Sequence, residues 1–229
     1  LLLKDLGQNQ AGRISTSGSR LFSHYRSSQT DYFVERLEKL GFIILGRTNT
    51  PEFGFKNISD ASIHGPVNLP ADLTRNAGGS SGGAAAAVAS GMVPLAAASD
   101  GGGSIRIPAS FNGLIGLKTS RGRIPVGPSS YRGWQGASVN FAITKSIRDT
   151  KALLGGMQTC QLESPFPLPV LSDDQLNAKL DRPLKIAYCL VSPIGSEVSS
   201  HAQEAVLEAV AFLKILGHEV VELPIFPID

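Results

Sequence analysis

Short apolar runs alternate with amphipathic stretches along these 229 residues, and turn-forming residues punctuate them. The chain opens on Leu1-Leu2-Leu3-Lys4-Asp5-Leu6, whose first three residues read as the middle of a buried strand. Thr30-Asp31 stands at cap spacing before Tyr32 to Leu40, with Gly41 as the stop, which predicts a helix. Phe42 to Leu45 is wholly apolar and predicts a short strand buried on both faces, and the Asn-, Pro- and Gly-rich residues 47–79 predict a loop. Ala84 to Ala89 predicts a small-residue helix opening at Gly82-Gly83. Val93 to Ala98 predicts a buried strand ending at Asp100, and Leu114 to Leu117 another. Ser146 and Asp149 have capping-box spacing at the start of a helix predicted over Ser146 to Leu154. Residues 158–182 are polar, carry Pro165, Pro167 and Pro169, and read as a linker or long loop. After them come a strand at Leu184 to Tyr188, an amphipathic helix at Ser200 to Leu216 stopped by Gly217, and a returning strand at His218 to Glu222. A strand–helix–strand order of this kind implies parallel pairing through a right-handed crossover.

The alternation predicts an α/β fold, with a mixed, largely buried β-sheet flanked by helices. One domain is expected over 1–229, comprising a catalytic core at 1–157, the linker at 158–182 and a βαβ segment at 183–229. Both ends read as cut: Leu1 replaces an initiating methionine and Leu223 to Asp229 stops just after a strand, so a piece of a longer chain is expected.

Composition removes several classes of function. Net charge is +2 with no basic run, which gives no case for direct nucleic-acid binding. No apolar stretch approaches the ~20 residues needed to span a bilayer, and no basic n-region precedes the opening leucines. Cys160 and Cys189 lack metal or redox spacing, and a reducing cytoplasm is the expected setting.

The candidate chemistry lies in two glycine runs. Gly78-Gly79-Ser80-Ser81-Gly82-Gly83 and Gly101-Gly102-Gly103-Ser104-Ile105-Arg106 each set serine in backbone stripped of side chains, with Ser80 and Ser104 standing 24 positions apart. No lysine follows Gly83 as a P-loop requires, and no apolar strand leads into a dinucleotide fingerprint. A nucleophile elbow, G-x-S-x-G, is matched at Ser80 and at Ser81, but residues 71–77 read as a polar loop where the elbow needs a strand. The four histidines read as surface or packing residues, no S-x-x-K is present, and no spacing suggests zinc. Tyr131 and Trp134, in a Gly-rich loop, are left unassigned. One lysine and two glycine-set serines remain, a combination suited to nucleophilic acyl transfer without histidine, metal or cofactor.

Leu3-Lys4-Asp5, Thr48-Asn49-Thr50-Pro51-Glu52, Gly78 to Gly83, Asp100 to Ala109 and Gly116-Leu117-Lys118-Thr119 occur in the order and spacing of the amidase signature family, which this chain resembles over roughly 1–150. The Arg106-to-Ser110 and Gly116-to-Arg123 segments are nearest to the bacterial amidases that include 6-aminohexanoate cyclic-dimer hydrolases. The resemblance implies an amidohydrolase that cleaves the C–N bond of a carboxamide, acting on linear or cyclic amides of small molecules. In it Ser104 is the acyl-accepting nucleophile, Ser80 a bridging serine in a cis peptide, Lys4 the base, and Ser81 a supporting hydrogen-bonder. It further implies an oxyanion hole from the N–H groups of Gly101, Gly102, Gly103 and Ser104, braced by Asp100 and Arg106. Ala84, Gly101 and Gly102 depart from the family's commoner, larger or more polar residues, which touches pocket shape more than the relay.

A lysine can serve as base only when neutral, and burial among Leu1, Leu2, Leu3 and Leu6 lowers its pKa by desolvation. Asp5 is expected on the opposite face of the strand, where it does not oppose that shift. A glutamine-amidotransferase subunit and a non-catalytic remnant stay open as alternatives, and a homodimer is kept open as an assembly.

Overall fold

The computed structural model describes residues 1–225, so the last four residues of the 183–229 segment lie outside the described residues. The chain divides into two compact units, Leu1–Leu176 and Asn177–Asp229.

In the first unit, β1 (Leu2–Lys4) precedes α1 (Tyr32–Lys39), whose N-cap is Asp31 and beyond whose C-cap Gly41 turns with φ +87°. Next, β2 (Gly46–Thr48) pairs parallel with β1 in the register Leu2↔Gly46, Leu3↔Arg47, Lys4↔Thr48. The hairpin β3 (Asn68–Leu69) and β4 (Asp72–Asn76) leads into α2 (Gly82–Ala89). There follow β5 (Leu95–Asp100), α3 (Arg106–Phe111), β6 (Ile115–Gly116), β7 (Val139–Thr144), α4 (Ile147–Met157) and the short α5 (Asp173–Asn177). An antiparallel sheet runs β5–β7–β6 and β1 packs beside β5, which gives the mixed α/β architecture expected from the alternation.

Every residue of β5 is buried, because α2 covers it and β1 and β7 flank it. That close cover depends on small side chains: Gly82, Ala84, Ala85, Ala87 and Val88 of α2 are all buried. At Gly83 an added Cβ would stand 2.5 Å from the backbone nitrogen of Asn49, so only glycine lets α2 approach the end of β2.

Several expectations need correction. Residues 42–45 form no strand, because the ladder with β1 begins at Gly46, and Ile43 and Leu45 are 76% and 68% exposed. The loop expected over 47–79 contains the β3–β4 hairpin, and its strand stands shortly before Ser80. Strand 93–98 is displaced to Leu95–Asp100, placing Ser99 and Asp100 inside the sheet rather than beyond it. β7, the centre of its sheet, went unpredicted although Val139, Phe141 and Ile143 alternate. α3 is also new, and its Pro108 sits in the first turn, where no helical N–H partner is lost. The first part of the expected linker 158–182 is ordered on the first unit. Gln158 exchanges hydrogen bonds with Leu171, Gln161 does so with Val126, and Ser164 is buried.

In the second unit β8 (Lys185–Tyr188) pairs parallel with β9 (Glu219–Glu222) through α6 (Ser200–Ile215), matching the predicted strand–helix–strand order. Among the described residues, no helix is long and apolar enough to cross a membrane.

Candidate active site

Lys4, at the end of β1, is fully buried. Its backbone is anchored by Gln8, whose Oε1 accepts the Lys4 N–H at 2.7 Å while its Nε2 donates to Ala98 O at 3.1 Å. This ties β1 to β5 and aims the side chain at the serines. Nζ lies 2.7 Å from Ser80 Oγ, 3.0 Å from Ser99 Oγ and 3.5 Å from Ser99 O. Desolvation lowers the Lys4 pKa to about 7, against the opposing charge of Asp100. Near neutrality the amine therefore exists in both forms. Asp5 projects to the other face of β1, where it accepts the N–H and hydroxyl of Thr16, as strand alternation requires.

The Gly79–Ser80 peptide is cis. Ser80 and Ser81 are buried, and the second uses its hydroxyl to clamp the end of β5, donating to Ser99 O and accepting from Ser99 N–H. Ser59 holds the start of α2 from below: its hydroxyl accepts the Gly82 N–H at 3.0 Å and donates to Ser80 O at 3.4 Å. Thr48 and Asn49, in the Thr48–Glu52 motif, brace the same corner through Thr48 Oγ1 to Leu3 O and Gly83 N–H to Asn49 O.

Asp100 organises the turn that carries Ser104. Its Oδ1 accepts from Gly103 N–H at 2.7 Å and Arg106 Nη2 at 3.0 Å. Its Oδ2 accepts from the backbone N–H groups of Ile105 and Arg106 and from Arg106 Nε at 2.9 Å. Burial alone would raise this carboxyl's pKa, but Arg106 and the three N–H donors outweigh it and hold the value at about 2. Gly103 N–H is thus already committed to Asp100. Those of Gly101, Gly102 and Ser104 have no acceptor among the described residues. Ser104 is 9% exposed, and Ser81 N–H donates to its carbonyl at 3.2 Å, docking the two glycine runs against each other. Its hydroxyl makes no hydrogen bond among the described residues.

The structure therefore gathers Lys4, Ser80, Ser81, Ser104, Asp100 and Arg106 at the meeting of β1, β5 and α2. Ser99, Gln8 and Ser59 belong to this cluster and escaped the sequence reading. Ser99 had a signal in its position directly before Asp100; Gln8 and Ser59 had none, since burial alone marks them. A strand does stand before Ser80, but among the described residues no histidine bonds to any of the serines 80, 81 or 104. His218 instead accepts the Leu184 N–H and His201 meets Ser200. A cleft of about 220 Å³ adjoins the cluster at Ser99, lined among others by Leu6, Phe53, Trp134 and Asn140. Among the described residues no group of three or more His, Cys, Asp or Glu could hold a metal ion.

A family model described as Amidase matches residues 1–229. The chain is 44% identical over 229 residues to a lipoamidase of Enterococcus faecalis, covering 100% of this chain and 29% of that protein. It is 37% identical over 226 residues to a 6-aminohexanoate-cyclic-dimer hydrolase of Paenarthrobacter ureafaciens, covering 96% and 46%. A solved structure of a 6-aminohexanoate cyclic dimer hydrolase complexed with substrate superposes with a TM-score of 0.91 at 35% identity, over 97% of this chain and 48% of that one. The chain thus spans less than half the length of each of these relatives. With a family match along its whole length and the shared fold, this chain belongs to the amidase family, the amidase signature enzymes.

Proposed function

We propose that the chain carries the reacting groups of an amidohydrolase that cleaves the C–N bond of a carboxamide through an acyl-enzyme on Ser104. The observation that carries this reading is the fully buried Lys4 amine 2.7 Å from Ser80 Oγ. Outside a low-dielectric setting a lysine at neutral pH is an ammonium and has no lone pair to offer. Here desolvation supplies the neutral form.

Ser104 Oγ attacks the amide carbon. Its proton passes to Ser80 Oγ as the Ser80 proton passes to neutral Lys4 Nζ, and the carbonyl π electrons move to oxygen. The free N–H groups of Gly101, Gly102 and Ser104 are the donors available to that oxyanion, while Gly103 serves to brace the loop on Asp100. When the intermediate collapses, the C–N bond breaks and the proton held on Lys4 returns through Ser80 to the leaving nitrogen. Water then attacks the ester by the same relay, restoring the Ser104 hydroxyl and releasing the carboxylic acid.

Labelling the full-length protein with a fluorophosphonate tests this. Modification is expected on Ser104 and is lost in Ser104→Ala; modification at Ser81 would overturn the assignment. Ammonia release from glutamine confined to a complex with partner subunits would favour the amidotransferase alternative.

A further inference from the structure

Within β7 the side chains of Val139, Phe141, Ala142 and Ile143 are buried and apolar, and Asn140 interrupts them. Asparagine is a poor strand former, and in the central strand of a sheet it forgoes apolar packing. What its amide meets is therefore informative.

The orientation of that amide follows from the backbone of Lys4. A backbone N–H can only donate, so Gln8 meets Lys4 N–H with its oxygen, at 2.7 Å. Gln8 Nε2 is then turned the other way, where it donates to Ala98 O at 3.1 Å and to Asn140 Oδ1 at 3.4 Å. A flipped Asn140 would set donor against donor. Asn140 is thus held oxygen-first against Gln8, and its Nδ2 has no acceptor among the described residues. That nitrogen is not sealed in the core, and Asn140 lines the cleft of about 220 Å³ beside the serines.

The sheet register places this donor next to the relay. Asn140 stands opposite Ser99, and directly opposed residues of an antiparallel pair project from the same face. Ser99 Oγ is 3.0 Å from Lys4 Nζ, and Ser99 lines the same cleft. The cleft's carboxylate, Asp31, is already used inside the fold, where it accepts Asn9 N–H and the Ser129 hydroxyl. β5 lies between Lys4 on β1 and Asn140 on β7. The relay returns its proton to the leaving nitrogen from the Lys4 side, which leaves the β7 side to the acyl arm.

We propose that Asn140 is a specificity-determining residue: its Nδ2 donates to an acceptor oxygen on the acyl arm of the substrate, such as a second carbonyl. Amides that carry such an oxygen are then favoured over plain alkyl amides. The proposal rests on Ser104 being the nucleophile.

Hexyl fluorophosphonate and its keto analogues, with the carbonyl moved along the chain, test it on the full-length protein. Labelling of Ser104 is followed by mass spectrometry. The ketone adds an acceptor and no donor. In the wild type the best-placed keto probe is expected to react about 2- to 10-fold faster than the hexyl probe, the fold-change of one neutral hydrogen bond. Asn140→Asp keeps an oxygen for Gln8 Nε2 but turns the other to the cleft, and is expected to bring the keto-to-hexyl ratio to one or below. Asn140→Leu is expected to bring it near one. A wild-type ratio of one or less at every keto position overturns the donor while leaving the nucleophile intact. An equal loss for both probes in the two variants, with the ratio kept, marks a structural role and also overturns it. Absence of Ser104 labelling by any probe sinks the underlying mechanism and this assignment with it.

Discussion

Lys4 Nζ stands 2.7 Å from Ser80 Oγ across 76 positions of chain, with both groups buried. The contact exists because β1 is held beside β5 by Gln8, and because glycine and alanine let α2 descend onto both strands. A positively charged lysine in that position is costly, and the same cost favours its neutral form.

The rate should therefore follow the Lys4 titration. With its pKa lowered to about 7 by burial, kcat/KM of the full-length protein is expected to climb about tenfold per pH unit below 7 and to level off above it. A profile flat from pH 5.5 to 9 would remove Lys4 as the base.

Replacing Lys4 by methionine should separate activity from stability. Loss of the base is expected to lower kcat by about 10²–10⁴-fold. Unfolding free energy at pH 6 is expected to rise by roughly 1–4 kcal/mol, as when buried charge gives way to apolar packing. The sign with pH is fixed by linkage. From about pH 7 to 10 the unfolded lysine holds a proton that the folded one lacks, so wild-type stability rises with pH and the advantage of the variant shrinks. Denaturant titrations at pH 6 and 9.5 read this directly; an advantage that grows with pH contradicts it.

Asp100 and Arg106 are partners with unequal weight. Asp100 is fully buried and accepts five hydrogen bonds, whereas the Arg106 side chain is 53% exposed. Asp100→Asn turns an acceptor into a donor facing other donors and is expected to cost about 1–3 kcal/mol, with a loss of kcat as the Ser104 loop loosens. Arg106→Gln is expected to cost about 1 kcal/mol or less because solvent screens the pair. Equal costs in a thermal melt would show that the ion pair, not the loop's N–H groups, is what the carboxylate serves. The wild-type carboxylate's contribution is present above the unfolded value near pH 4 and is lost as pH falls through about 2.

Gly83→Ala places a methyl 2.5 Å from Asn49 N and 2.7 Å from Asn49 O, and backbone cannot swing aside as a side chain can. Overpacking there is expected to cost about 1–3 kcal/mol. Gly155→Ala, in α4, meets only the methyl end of Leu176 at 3.3 Å and is expected to stay within about 1 kcal/mol of the wild type. Chemical denaturation of both variants measures this difference, and equal costs would contradict the tight approach of α2 to β2.

The candidate site was legible where chemistry is written in consecutive residues. Two glycine-set serines, a lysine in an apolar run and Asp100 before a turn are local words, and local words survive without knowledge of the fold. The missed elements have a physical cause. β7 lies next to Gly-rich loop sequence and becomes a strand through pairing with β5 and β6 on either side. Residues 42–45 have strand composition, but they meet the chain at Leu1, through Leu45 N–H to Leu1 O and the Leu1 amine to Ile43 O, before the β1 ladder begins at Leu2 opposite Gly46.

The amino-acid order by itself fixed which residues carry reactive groups and that strands and helices alternate, because those properties follow from side-chain chemistry and periodicity. Only the tertiary structure decided which form of Lys4 is accessible, since desolvation depends on what surrounds it. It alone decided that Gly103 N–H is taken by Asp100 while its neighbours remain open, and that Ser99 completes the lysine's surroundings. The place of Trp134 against Gly101 was likewise beyond the sequence, because contact between residues 33 positions apart is a property of packing, not of pattern.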